Sequence, residues 1–285
     1  MKIITSILIL MMTANVAVAN DIDNLNTIDD VQNFLVNKVN KEWKDITFIE
    51  SNPADTSAFG KGKYFKIDLD NNGLTDLVIN GIYFLAVTDN GDGKYESHII
   101  DRGAFLTDKY TLVNIIYKDT TPLLLIKGYS EYTKSINNKS ITDTLIFKYG
   151  DFTEYNAFPD DLNIEEIHFS TTACYGTCPI FELSIKADQT ATYNAIKYNK
   201  ETGEFKTTID TSSYNNLIRT INYIKLTTLE DGYSVNWTDD QAVTLQIKFN
   251  NGQVKTISDY GAIGTFGLEH LYEQLFELRG TQKWK

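Results

Sequence analysis

Beyond residue 20, apolar residues recur at helical spacing in three stretches, and elsewhere they fall into short, mostly alternating runs. Ile28, Val31, Phe34, Leu35, Val39 and Trp43 lie on one helical face behind a Thr27 N-cap, with Asp29 and Asp30 in the first turn. That spacing predicts a helix over 27–43. Runs rich in Ile, Val, Tyr and Phe, broken by Gly, Asn and Asp, then predict strands over 63–68, 76–80, 83–88, 95–100, 110–117, 122–129 and 143–150. A polar stretch, 155–163, carries Pro159 and reads as a linker. Beyond it the pattern restarts with strands over 164–170, 180–186, 190–196 and 204–210. A helix over 211–224 follows, N-capped by Thr211, with Tyr214, Leu217, Ile218, Ile221 and Ile224 on one face. Two strands, 242–249 and 253–260, are joined by the turn Asn250-Asn251-Gly252, and a last helix over 267–278 ends near Gly280. The whole reads as α+β in two domains, 20–160 and 161–285. Each is a mainly antiparallel sheet with one or two packing helices.

The first residues change the picture of where such a chain works. Lys2, an apolar run and the small-residue ending Ala17-Val18-Ala19 are the parts of a secretory signal peptide covering 1–19. The apolar run is too short for a membrane span, and no cysteine follows it to carry a lipid. A periplasmic or secreted protein beginning at Asn20 is expected, with no membrane span after leader removal. Losing Lys2 moves the formal charge from −12 to −13, and the acids are spread along the chain. That balance argues against nucleic acid, which needs clustered Lys and Arg.

The segment "DLDNNGLTD" carries the most specific chemistry. Asp68, Asp70, Asn72 and Asp76 fall at positions one, three, five and nine of D-x-D-x-N-G-x-x-D. The Leu74 carbonyl can supply position seven, and Gly73 permits the sharp turn. Several hard oxygens on one curled loop suit calcium. An EF-hand would need an acid at position twelve, where Ile79 stands, and a helix where a strand follows. Asp89 and Asp92 in "TDNGDGKY" read as a plain turn.

The loop resembles the calcium loop of FG-GAP or VCBS-type repeats, in which an acidic D-x-D-x-[DN]-G-x-x-D-L segment runs into a strand. The likeness covers Tyr64 to Ser97, including a hairpin and a closing Asn-Gly-Asp-Gly turn. Such repeats build β-propellers or sit in cell-surface proteins. A single clear copy does not imply a full propeller.

Cys174 and Cys178, the only cysteines, lie in a chain expected to be exported, so a structural disulfide is the first reading. Gly176 permits the chain reversal that brings them together. A thiol-redox or copper-handling role is the alternative, because C-x-x-x-C-P is similar to Sco-type thioredoxin relatives. Those proteins place a helix after the cysteines and pair them with a distant histidine, whereas "IFELSIK" alternates as a strand. Zinc lacks companion ligands at the usual spacings. "STTACYGTCPIFELSIKADQTATYNA" also resembles the start of an uncharacterised bacterial envelope family marked by C-[FY]-G-T-C-P. That likeness spans Glu165 to Trp284, with Gln189 in place of the family's usual Asp-Gly turn.

Catalytic signatures do not assemble. There is no G-x-S-x-G, H-E-x-x-H or Gly-rich phosphate loop. The acid pairs Asp160-Asp161, Glu165-Glu166 and Asp239-Asp240 are adjacent, so their side chains diverge. His98 and His168 read as packing residues on strands. The expectation is an exported, non-catalytic envelope protein with structural calcium, acting as a binding or interaction module for an envelope protein or a glycan. A hydrolase with unrecognised residues remains a further alternative.

Overall fold

The computed structural model describes residues 20–50, 57–102, 109–129 and 140–285. The expected signal peptide lies outside these residues. Fifteen strands in three sheets and three α-helices are described, an α+β arrangement in which all but one strand pairing is antiparallel.

The chain opens with α1 (Ile28–Phe34), held by a capping box in which Thr27 Oγ1 accepts the Asp30 N–H while the Asp30 carboxylate accepts that of Thr27. The helix expected to reach Trp43 stops earlier. It widens into a π-turn over Leu35–Val39, breaks at Asn40 and resumes as a 3₁₀ turn over Lys41–Asp45. The break has a local cause. Asn40 is extended at φ −149°, and its side chain accepts the Glu42 N–H, competing with helix continuation.

A four-stranded meander follows: β1 (Lys63–Ile67), β2 (Asp76–Asn80), β3 (Phe84–Asp89) and β4 (Tyr95–Ile99) in sequence order. Its two central strands are buried on both faces. Leu77, Ile79, Leu85 and Val87 meet Val31, Phe34 and Leu35 of the α1 segment. Val78, Phe84 and Ala86 join a different core with a second four-stranded meander. That sheet contains β5 (Lys109–Lys118), β6 (Thr121–Tyr129), β7 (Ser140–Lys148) and β8 (Asp151–Glu154). Two-sided burial explains why β2 and β3 read as near-continuous apolar runs.

The remaining strands form a seven-stranded sheet of order β12-β11-β10-β9-β14-β15-β13. These are β9 (Ile164–Thr171), β10 (Ile180–Lys186), β11 (Thr190–Lys197), β12 (Gly203–Thr208), β13 (Gly232–Ser234), β14 (Ala242–Phe249) and β15 (Val254–Tyr260). Helices α2 (Thr211–Tyr223) and α3 (Phe266–Thr281) cover one face through Leu217, Ile221, Leu268, Leu271 and Leu275. The N-cap of α2 is Asp210 and not Thr211: its carboxylate accepts the Ser213 N–H at 3.0 Å. The stretch 155–163 is pinned to the end of α2, where Asn156 donates to the Tyr223 carbonyl and Leu162 N–H reaches the Asn222 side chain.

Helix α3 also reaches the other cores. Phe266 packs with Tyr110 and Phe152 of the second meander, and Arg102 forms an ion pair with Glu269.

Candidate metal centre

The acidic loop joins β1 to β2, and its shape is set by its own side chains. Asn71 and Gly73 adopt left-handed conformations (φ 60° and 87°), which curl the chain back on itself. Both Asp68 and Asp70 accept the Asn72 N–H, at 3.1 and 3.0 Å, and Asp68 also accepts the Gly73 N–H at 2.9 Å. Local bonds of this kind bring carboxylates together that would repel each other in an extended chain.

One carboxylate oxygen from each of Asp68, Asp70 and Asp76 lies within 4.8 Å of the others. Asp76 sits at the bottom, fully buried. Its Oδ2 accepts the Leu69 N–H at 2.7 Å and its Oδ1 the Asp89 N–H at 2.8 Å. Burial pushes its carboxyl up to about 7, the charges of Asp70 and Asp68 adding to the effect and the two N–H donors opposing it. Asp70 is raised as well, first by burial and then by Asp68.

Asn72 is differently engaged. Its Oδ1 accepts the Leu74 N–H at 2.7 Å, and its Nδ2 donates to Asp70 and to the Asp89 carbonyl. Of the five residues the spacing singles out, the structure thus brings three carboxylates together, while Asn72 fastens the loop to β3. The stretch around Asp89 does more than turn, because its backbone both receives Asn72 and feeds Asp76. Asn20 closes the far side by donating to the Thr75 carbonyl at 2.7 Å. A hard dication fits this donor set. It would neutralise a buried carboxylate, with Asp68, Asp70 and Asp76 as its carboxylate ligands.

Cys174 and Cys178 are disulfide-bonded, with α-carbons 5.7 Å apart. The short loop they close joins β9 to β10. Gly176 N–H donates to Cys174 Sγ at 3.2 Å, and the exposed Tyr175 donates its N–H to the Asp239 carbonyl. Gln241 bridges the Thr172 and Pro179 carbonyls beneath the loop, both at 2.8 Å. Strand β10 begins directly after Pro179, and the described histidines bond elsewhere: His98 to Thr88, His168 to Ser184 and His270 to Tyr149.

Residues 165–279 match a family model described as Domain of unknown function (DUF6438). The matched region starts one residue into β9 and ends inside α3, so it takes in the disulfide loop and most of the seven-stranded sheet. No curated protein and no solved structure matches the chain.

A second convergence leaves almost no mark in the sequence spacing. Asp151, His270 and Glu273 also bring one ligand atom each to within 4.8 Å of the others. The i, i+3 spacing of His270 and Glu273 on α3 was the one available signal. No helix among the described residues is long and apolar enough to cross a membrane.

Proposed function

We propose that this is an exported, non-catalytic envelope protein, periplasmic or secreted. In this reading a calcium ion on Asp68, Asp70 and Asp76, with Asn72 and the Leu74 carbonyl completing the loop, serves structure and not chemistry. Residues 20–160 and 161–285 act as two α+β domains, and the protein works as a binding or interaction module for an envelope protein or a glycan.

The observation that supports this best is the fully buried Asp76 beneath two further carboxylates. A buried charge needs a partner, and the backbone donors on Asp76 leave each oxygen a lone pair for a cation. Such an ion would lock the β1–β2 connection to β3 and to the N-terminal segment at Asn20. The disulfide is compatible with export, since such bonds persist in oxidising compartments.

The test is thermal unfolding with calcium and with chelator. Calcium should raise Tm, and an Asp68→Ala, Asp70→Ala protein should melt alike in both conditions. A wild-type protein that melts identically with calcium and chelator overturns the metal assignment.

A further inference from the structure

We propose that the cleft between β4, β8 and α3 is a second metal site, which binds a divalent transition metal of the zinc class through Asp151, His270 and Glu273. It is independent of the calcium loop and uses none of its residues.

The cleft has a volume of about 700 Å³ and is lined from both halves of the chain. His98 comes from β4, Asp151 from β8, and His270 and Glu273 from α3. Its electrostatics are lopsided. Glu96, Asp101, Asp151, Glu269, Glu273 and Glu277 line it against a single guanidinium, Arg102. Arg102 is committed to Glu269 and the Thr265 carbonyl, and Asp101 is matched by Lys109 at 2.9 Å. Asp151 and Glu273 therefore have no lysine or arginine partner among the residues lining the cleft, and the base beside them is His98, 3.3 Å from Asp151 Oδ1.

The individual groups are arranged as a metal would need them. His270 is 6% exposed, and one of its ring nitrogens, Nε2, lies 3.2 Å from the Tyr149 carbonyl and 2.7 Å from Gln274. Its Nδ1 makes no hydrogen bond among the described residues. With a metal on Nδ1, the ring proton would sit on Nε2, where the Tyr149 carbonyl accepts it, provided the Gln274 amide turns its oxygen and not its Nε2 toward the ring. A backbone carbonyl on the second nitrogen is the usual way a histidine ligand is oriented.

Asp151 is oriented in the same manner. Its Oδ1 accepts the Phe152 N–H at 2.7 Å and lies 3.3 Å from His98 Nδ1, whose other nitrogen is held by Thr88 Oγ1. Asp151 is also hydrogen-bonded to the Glu273 carboxyl, a contact in which a metal ion would take the place of the shared proton. His98 is thus a positioning residue, supporting a carboxylate ligand from behind.

One imidazole and two carboxylates suit zinc or a neighbouring first-row dication better than calcium, which takes oxygen ligands only. Zinc bonds of about 2.0–2.1 Å put tetrahedral ligands about 3.4 Å apart, so the cluster closes slightly on binding. Glu273, exposed at the cleft mouth, has the freedom to move. Solvent fills the remaining coordination position.

The experiment is a calorimetric titration of zinc chloride into the untagged protein, stripped of metal and then kept in saturating calcium. One zinc per chain is expected, with micromolar or tighter affinity. Glu273→Ala and His270→Ala should each weaken it at least tenfold, and the Asp68→Ala, Asp70→Ala protein should bind zinc as the wild type does. Absence of saturable zinc uptake by the wild type overturns the proposal. So does unchanged affinity in Glu273→Ala, a surface substitution that decides the matter even if His270→Ala fails to fold.

Discussion

The Glu154 carboxylate accepts the backbone N–H of Phe266 at 2.7 Å, across 112 positions of sequence. Its second oxygen takes the N–H of Gly267 at 3.0 Å. The last residue of β8 therefore caps the N-terminus of α3, whose first N–H groups have no partner inside the helix and whose dipole favours negative charge there. Glu154→Ala removes two charge-assisted bonds and should destabilise the protein by about 2–3 kcal/mol, read by urea unfolding. Glu154→Gln, able to restore only neutral acceptance, should fall between that variant and the wild type.

Two glycines of the same helix should respond in opposite directions. A Cβ on Gly267 would lie 2.5 Å from Ile224 Cγ2 and 2.7 Å from Thr153 Oγ1, so Gly267→Ala must push α3 away from its neighbours. A loss of about 1–3 kcal/mol is expected. Gly280, in the last turn, would meet nothing within 4 Å. Gly280→Ala should stabilise by up to about 1 kcal/mol through better helix propensity. Denaturation midpoints of the two variants, on either side of the wild type, check both.

Asp76 makes stability depend on pH in a way that calcium reverses. Its carboxyl is raised from 3.8 to about 7 by burial and by Asp70 and Asp68, opposed by the Leu69 and Asp89 N–H groups. The folded, metal-free protein therefore holds a proton that the unfolded chain releases. That contribution is full below pH 4 and is lost as pH rises to about 7. Calcium needs the ionised form, so the difference in Tm between calcium and chelator should grow as pH rises through about 7. Thermal scans from pH 5 to 8 in both conditions test the sign, and Asp76→Asn should flatten the dependence.

The disulfide should matter little to global stability. Its loop is short, and the chain-entropy account gives about 2 kcal/mol for a closure of this size. Replacing Cys174 and Cys178 with serine should lower the unfolding midpoint by no more than that and leave the far-ultraviolet circular dichroism unchanged. A collapse of the sheet would assign the bond a larger role.

Much of this architecture was legible from periodicity. The β14–β15 hairpin, with Gly252 left-handed at its turn, follows directly from alternating residues around Asn250-Asn251-Gly252. The helix face of Leu217 and Ile221 does too. What escaped was set by tertiary contacts. Strand β13 is three residues long and exists because it pairs in parallel with β15, and β8 is a four-residue strand completed by β7. The strands of the first 160 residues divide into two sheets because β2 and β3 bury both faces, and no local pattern separates such strands by sheet. The site divides in the same way. Asp68, Asp70 and Asp76 are neighbours in sequence and could be read there. His98, Asp151 and His270 meet only after three separate elements have folded, and the spacing of single histidines holds no sign of it.

Helix α3 has a last consequence. Phe266 belongs to the core between the two meanders, while Leu268, Leu271 and Leu275 belong to the core under the seven-stranded sheet. Neither core can lose its structure while this one rigid rod remains seated in both. Heat or denaturant should therefore meet a single cooperative unit, with one sharp transition for the whole chain instead of a step for each half.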